Sequence, residues 1–195
     1  MINYHPIQLI TISIMTITLA SYSLLAHGES ALLSKSLPLA CQKIPGRESQ
    51  LCFIVTQSPF GPFDDVVFYH RDKNDYMSLL GSHSGEVATF GGVDFSTGGT
   101  FMWLSWAEEG HPHFKFYYTS KFISNGLSAK SVGVLGDYYF DGFEKFTDKG
   151  EVIYRLADDA YEDCNNAGKG VSYTVNPETA EKYCVKRFNL DLKGT

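Results

Sequence analysis

FMWLSW at Phe101–Trp106 and FKFYYT at Phe114–Thr119 are two short aromatic runs separated by the break Glu108-Glu109-Gly110. Both are rich in residues that favour a pleated, half-buried surface, and the break supplies a glycine where a tight turn needs positive φ. They therefore read as a β-hairpin. The same grammar extends outward in both directions. Runs at Leu51–Gln57, Val66–His70, Tyr76–Leu80, Glu86–Phe90, Val132–Leu135, Tyr138–Phe146, Glu151–Leu156 and Val171–Val175 are bounded by Gly, Asp, Asn, Ser and Pro. Asp72-Lys73-Asn74-Asp75 and Asp148-Lys149-Gly150 supply further hairpin turns. Regular strand–turn–strand spacing predicts a mainly β fold, as an antiparallel sandwich, a barrel or a short propeller-like meander. A weak internal echo points the same way. DDVVFYHRDKNDYMSLL, HFKFYYTSKFISNG and DYYFDGFEKFTDKGEVIYRL each run aromatic strand, polar turn, second strand.

One helix is expected, near the C-terminus. Asn176-Pro177-Glu178 offers an N-cap, a proline at the first helical position and an acid facing the helix dipole. The stretch that follows places Tyr183, Cys184 and Phe188 near one face.

Residues 1–28 contain no Lys, Arg, Asp or Glu, and 9–26 (LITISIMTITLASYSLLA) are continuously apolar or small. Such a run is either a signal h-region or a membrane anchor. Its six Ser and Thr residues weaken residence in hydrocarbon, and Ala26-His27-Gly28 fits a small-x-small cleavage site. The expectation is a cleaved signal peptide over 1–28, followed by a single β-rich, disulfide-containing domain over 29–195 with no stable membrane anchor. No cysteine follows the apolar run closely enough for lipid attachment.

The formal charge of −6 falls entirely on residues 29–195. An acidic domain has no basic face to neutralise phosphates, which argues against nucleic acid and anionic membranes and suits a basic protein partner. Four cysteines, Cys41, Cys52, Cys164 and Cys184, read in an exported chain as two disulfides. Three pairings exist. Cys41–Cys52 and Cys164–Cys184 are favoured because each closes a short loop holding turn formers (Pro45-Gly46; Gly168, Gly170), for about 3 kcal/mol apiece. There is no CxxC pair to suggest redox or thiolate-zinc chemistry. The absence of an Asn-x-Ser/Thr sequon points toward a bacterial periplasm.

No reaction is announced. Gly81-Ser82-His83-Ser84-Gly85 carries His where a serine hydrolase needs its nucleophile, and reads as a turn. His111-Pro112-His113 has metal-like spacing but a proline between and no third histidine nearby, so no metal or cofactor is expected. Asp158-Asp159-Ala160-Tyr161-Glu162-Asp163 lacks the glycine and terminal Glu of a calcium loop and reads as a solvated acidic loop. A carbohydrate-stacking face or hydrolase remains the competing reading, with Tyr117-Tyr118 and Tyr138-Tyr139 each expected to turn one ring outward.

Ser96-Thr97-Gly98-Gly99-Thr100-Phe101 and the hairpin arm His113-Phe114-Lys115-Phe116-Tyr117-Tyr118-Thr119-Ser120, with Lys182–Arg187 beyond, give the chain a resemblance to a family. It resembles periplasmic immunity proteins that protect bacteria from type VI secretion peptidoglycan-amidase toxins. The resemblance implies a small exported β-rich protein that is not an enzyme. It implies that a loop between two strands enters the toxin's Cys–His groove. Where that family has a Ser-rich tip, this chain has Glu108-Glu109-Gly110-His111. The expected partner-binding residues are Trp106, Glu108, Glu109, His111, His113 and Tyr117, with Trp103 as a further anchor, since large aromatics carry interface energy.

Overall fold

The structure is a computed structural model and describes residues 38–59, 63–84, 89–108, 111–157, 164 and 169–192, without the side chain of Glu108. The expected signal, the acidic stretch 158–163 and Glu109-Gly110 lie outside them.

Among the described residues twelve strands form three four-stranded antiparallel sheets, with no closed barrel. The first sheet contains β1 (Leu39–Lys43), β2 (Gln50–Gln57), β3 (Asp64–Arg71) and β4 (Met77–Ser84) in sequential order. The second contains β5 (Thr89–Phe95), β6 (Phe101–Glu108), β7 (His111–Tyr118) and β8 (Gly133–Gly136), again in sequential order. The third is built from β9 (Phe140–Phe146), β10 (Glu151–Leu156), β11 (Val171–Val175) and β12 (Lys182–Asn189), ordered β11-β12-β10-β9. The meander thus holds for two sheets and breaks in the third, where β11 lies at the edge.

The second sheet is covered on both faces. Met102, Leu104 and Tyr117 face the first sheet and join Ile44, Leu51, Val66, Phe68, Val93 and Phe95 in one core. Phe101, Phe114 and Phe116 face the third and join Phe146, Val152, Tyr154 and Leu156 in another. Alternate residues of one strand feed opposite cores, so β6 and the Phe116–Tyr118 end of β7 are apolar on both sides, while His111, His113 and Lys115 leave the other end of β7 open on one face.

The loop at Ser96–Phe101 ties the layers together. Asp148, in the turn between β9 and β10, accepts hydrogen bonds from Ser96 Oγ–H at 2.6 Å, Gly98 N–H at 2.7 Å and Thr100 N–H at 3.0 Å. Burial alone would raise the Asp148 pKa, but these donors together hold it below the ordinary carboxylate value. Gly99 sits at φ 77° against the Pro45 carbonyl, where a Cβ would not fit. The sequence that carries the family resemblance thus has a structural role in this chain, as the junction of all three sheets.

The disulfides are Cys41–Cys52 and Cys164–Cys184, the local pairings expected. Two such bonds fit an oxidising, extracellular-type environment. Among the described residues no helix is long and apolar enough to cross a membrane.

Three expectations fail. The C-terminal helix is absent: Asn176 Oδ1 accepts from Glu178 and Thr179 N–H to close a turn, Ala180 takes φ 60°, and 182–189 pair as β12. The cap signal was real, but the β-rich Tyr-Cys-Val run, paired along β11 and reaching β10 at Val185, outweighs it. Conversely, Thr119–Asn125, expected as turn and strand, is a short helix α1, with Phe122 fully buried in the first core and Gly126 as its C-cap at φ 58°. Gly81–Ser84, expected as a turn, lies inside β4.

Candidate binding surface

The β6–β7 ladder runs without interruption from Phe101↔Tyr118 to Glu108↔His111. The described pairing thus reaches the two residues, Glu109-Gly110, that join the strands. Trp106 pairs with His113 across it, and Ala107 with Pro112.

Trp106 is half-buried and closes the end of the first core. Its ring meets Phe90 at 5.9 Å and the exposed His83 ring from β4 at 5.5 Å, and Lys115 Nζ lies 5.9 Å from its centroid. Its Nε1–H is enclosed with no acceptor among the described residues. His111 is half-buried and stacks on Tyr138 at 3.8 Å, while Tyr138 itself is 68% exposed. The His113 imidazole lies over Gly136, where a Cβ would collide with it. Val134, paired with Lys115, is 62% exposed. His111, His113, Lys115 and Val134 share one sheet face by their alternation and register, and Trp106 and Tyr138 adjoin them. The result is an exposed aromatic and cationic surface beside the hairpin tip, on a chain that is acidic overall.

Tyr138 is held there from behind. Asp137 accepts from Tyr154 Oη–H at 2.6 Å, Lys186 Nζ at 3.0 Å and Tyr139 N–H at 3.1 Å. Burial pushes its pKa up, but the Tyr154, Lys186 and Tyr139 bonds outweigh that and hold it below the ordinary value. The turn carrying Tyr138 is therefore anchored to the second core.

Comparison with known proteins adds nothing to this geometry. No protein-family model and no curated protein matches the chain.

Of the expected contact residues, Trp106, His111 and His113 come together as described. Glu108 is placed by its backbone opposite His111, and Glu109 lies outside the described residues. Tyr117 is 5% exposed, with its ring on Phe122 in the first core. Trp103 packs on Phe114 and Phe143 in the second. Neither ring of Tyr117-Tyr118 faces solvent freely, because both faces of that sheet are covered; Tyr118 lies on Phe101 at 4.7 Å. Tyr138-Tyr139 does present one ring outward. Val134, Asp137 and His83 were missed: the β7–β8 register, the turn after β8 and the packing of β4 on Trp106 bring them to the hairpin.

Two clefts among the described residues offer little to hydrolysis. One of about 520 Å³ is lined by Lys43, Glu48, Arg71, Asp72 and Asp75, but Asp72 caps the β3–β4 turn and Asp75 pairs with Arg71 at 2.9 Å. Another of about 620 Å³ holds Asp148, bound to the Ser96 loop, and Glu151, paired with Lys145 and Arg187. Among the described residues no group of three His, Cys, Asp or Glu side chains is arranged to hold a metal ion.

Proposed function

We propose that the chain is an exported periplasmic binding protein that inhibits a cell-wall-degrading enzyme by placing the β6–β7 hairpin in its active-site groove. The observation that carries this reading is the hairpin itself, fully paired to a two-residue connection and flanked by Trp106, His111, Tyr138 and Lys115. β5 pairs with β6 as far as Ala107 and β8 with β7 as far as His113, so the end of the ladder at Glu108↔His111 is the part that a groove would receive. The aromatic rings beside it supply the desolvated anchors that protein interfaces use. The two disulfides suit an extracytoplasmic post, and the family resemblance supplies the class of target, a Cys–His peptidoglycan amidase. The carboxylates that line both clefts are mostly engaged in turns or ion pairs, which favours binding over hydrolysis.

The test is co-expression in the periplasm with secreted Cys–His amidases, scoring survival and amidase activity on purified peptidoglycan. Protection by the wild-type chain is expected, with at least a tenfold loss of inhibition in Tyr138→Ala. Failure to bind or inhibit any such amidase would remove this reading.

A further inference from the structure

The Tyr138 ring is 68% exposed. A ring so far into solvent gains little from packing, so its place beside the hairpin depends on the turn that carries it. That turn, Asp137–Tyr139 between β8 and β9, is fastened by one carboxylate whose two oxygens have different partners. Oδ1 accepts from Tyr139 N–H at 3.1 Å and closes the turn locally. Oδ2 accepts from Tyr154 Oη–H at 2.6 Å and from Lys186 Nζ at 3.0 Å, and so reaches out of the turn into the third sheet.

The register explains why both donors arrive at one oxygen. Tyr154 on β10 lies directly opposite Lys186 on β12, so their side chains leave the sheet side by side. Tyr154 is 1% exposed within the second core, and the Asp137 side chain only 11%. Forming the turn requires Oδ1 alone. Taking a phenol, an ammonium and a carboxylate out of water together is costly where apolar side chains would pack as well. What these charge-assisted bonds contribute is direction: they fix where the turn stands against the third sheet.

We propose that Asp137, Tyr154 and Lys186 are positioning residues of the recognition surface. Through Asp137 Oδ2 they hold the Tyr138 ring on His111, so side chains of the third sheet set how well the hairpin surface of the second meets a partner. The effect on a partner rests on the binding role proposed above, whereas the stack is a property of the free chain. Removing Tyr154 Oη or Lys186 Nζ spares the bond to Oδ1, so Tyr138 keeps its turn and loses its place. A partner must then order the ring on contact.

Proton NMR of the free protein reads the stack with no partner present. The His111 ring lies 3.8 Å from that of Tyr138, whose ring current shifts the imidazole protons upfield. Tyr138→Ala sets their unstacked position. Tyr154→Phe, Lys186→Met and Asp137→Asn should each carry the His111 signals toward it. Asp148→Ala removes a carboxylate that likewise accepts three hydrogen bonds, and should leave them in place. Inhibition of a bound amidase is the second arm. Each positioning variant should weaken it roughly threefold or more, the cost of ordering one side chain. In a Tyr138→Ala background the same changes should cost nothing further, since they act through that ring. His111 signals that stay at their wild-type positions, equal movement in Asp148→Ala, or losses of inhibition that add to that of Tyr138→Ala would each overturn the inference. A chain that inhibits no amidase yet shows the expected shifts would remove the proposed function and uphold the positioning.

Discussion

Removing the Asp148 carboxylate should loosen the junction of the three sheets, and the structure sets the size of the effect. In Asp148→Ala three hydrogen bonds are lost, from Ser96 Oγ, Gly98 N and Thr100 N. Asp148 is exposed, so water takes over part of each interaction. A value of about 0.5–1 kcal/mol per bond, well below that of a buried charged pair, gives a loss of about 2 kcal/mol. For a domain of this size that corresponds to a fall of about 4–8 °C in melting temperature. Gly98→Ala approaches the same junction from the other side. Gly98 has no positive φ, so alanine meets no backbone strain there, but its Cβ would run into the Asp148 carboxylate and displace it. The single variants should therefore cost similar amounts, and the double variant little more than Asp148→Ala alone, since the methyl then has nothing to hit. Thermal unfolding at pH 7, followed by circular dichroism on all four proteins, measures the cycle. Additive losses would refute the reasoning, as would an Asp148→Ala protein as stable as wild type.

Acid should act through Asp137 and Asp148. Both have folded pKa values held below the ordinary carboxylate value, so their stabilisation is present above about pH 4 and is lost as pH falls through the lowered values. Asp137→Asn should cost about 2 kcal/mol at pH 7, and its gap from wild type should close as pH falls through the lowered value; a constant gap in a pH series of melting temperatures counts against this. Replacing Cys41 and Cys52 together by Ala should lower stability by about 3 kcal/mol in urea unfolding, as should replacing Cys164 and Cys184; no change in midpoint would show that the bonds constrain nothing. Gly126→Ala should be among the most damaging single changes, costing more than about 3 kcal/mol, because its Cβ would overlap the Leu80 backbone carbonyl. A soluble, normally melting Gly126→Ala protein would contradict the close approach of α1 to β4.

The aromatic runs and the turn formers between them made the strands legible, and short loops around Pro45-Gly46 and Gly170 made the disulfide pairing legible too. What sequence reading missed follows from layering. A sheet covered on one face shows alternation, but β6 and β7 are covered on both, so their sequence does not tell a core-facing Tyr117 from a surface ring. β1 is absent from the runs that read as strands, because Leu39-Ala40-Cys41 is short and becomes a strand only by pairing with β2. The misplaced helix shows local signals competing with tertiary ones: Asn176-Pro177 caps a turn where Val185 and Lys186 have strands on both sides, whereas Phe122 finds a core and lets a weak helix form. Within the candidate site, Trp106 and the two histidines could be found from the hairpin and Tyr138 from its aromatic pair, but Val134 required the β7–β8 register and His83 the packing of β4 on Trp106.

The doubly covered middle sheet has a consequence for anything that meets the hairpin. Side chains from two cores grip β6 and β7 from above and below, so the ribbon has few alternative conformations to surrender on contact. A partner would encounter a shape already set, and little of the contact energy would go into ordering the protein. Loosening either core, even far from the tip, should therefore weaken recognition before it unfolds the chain.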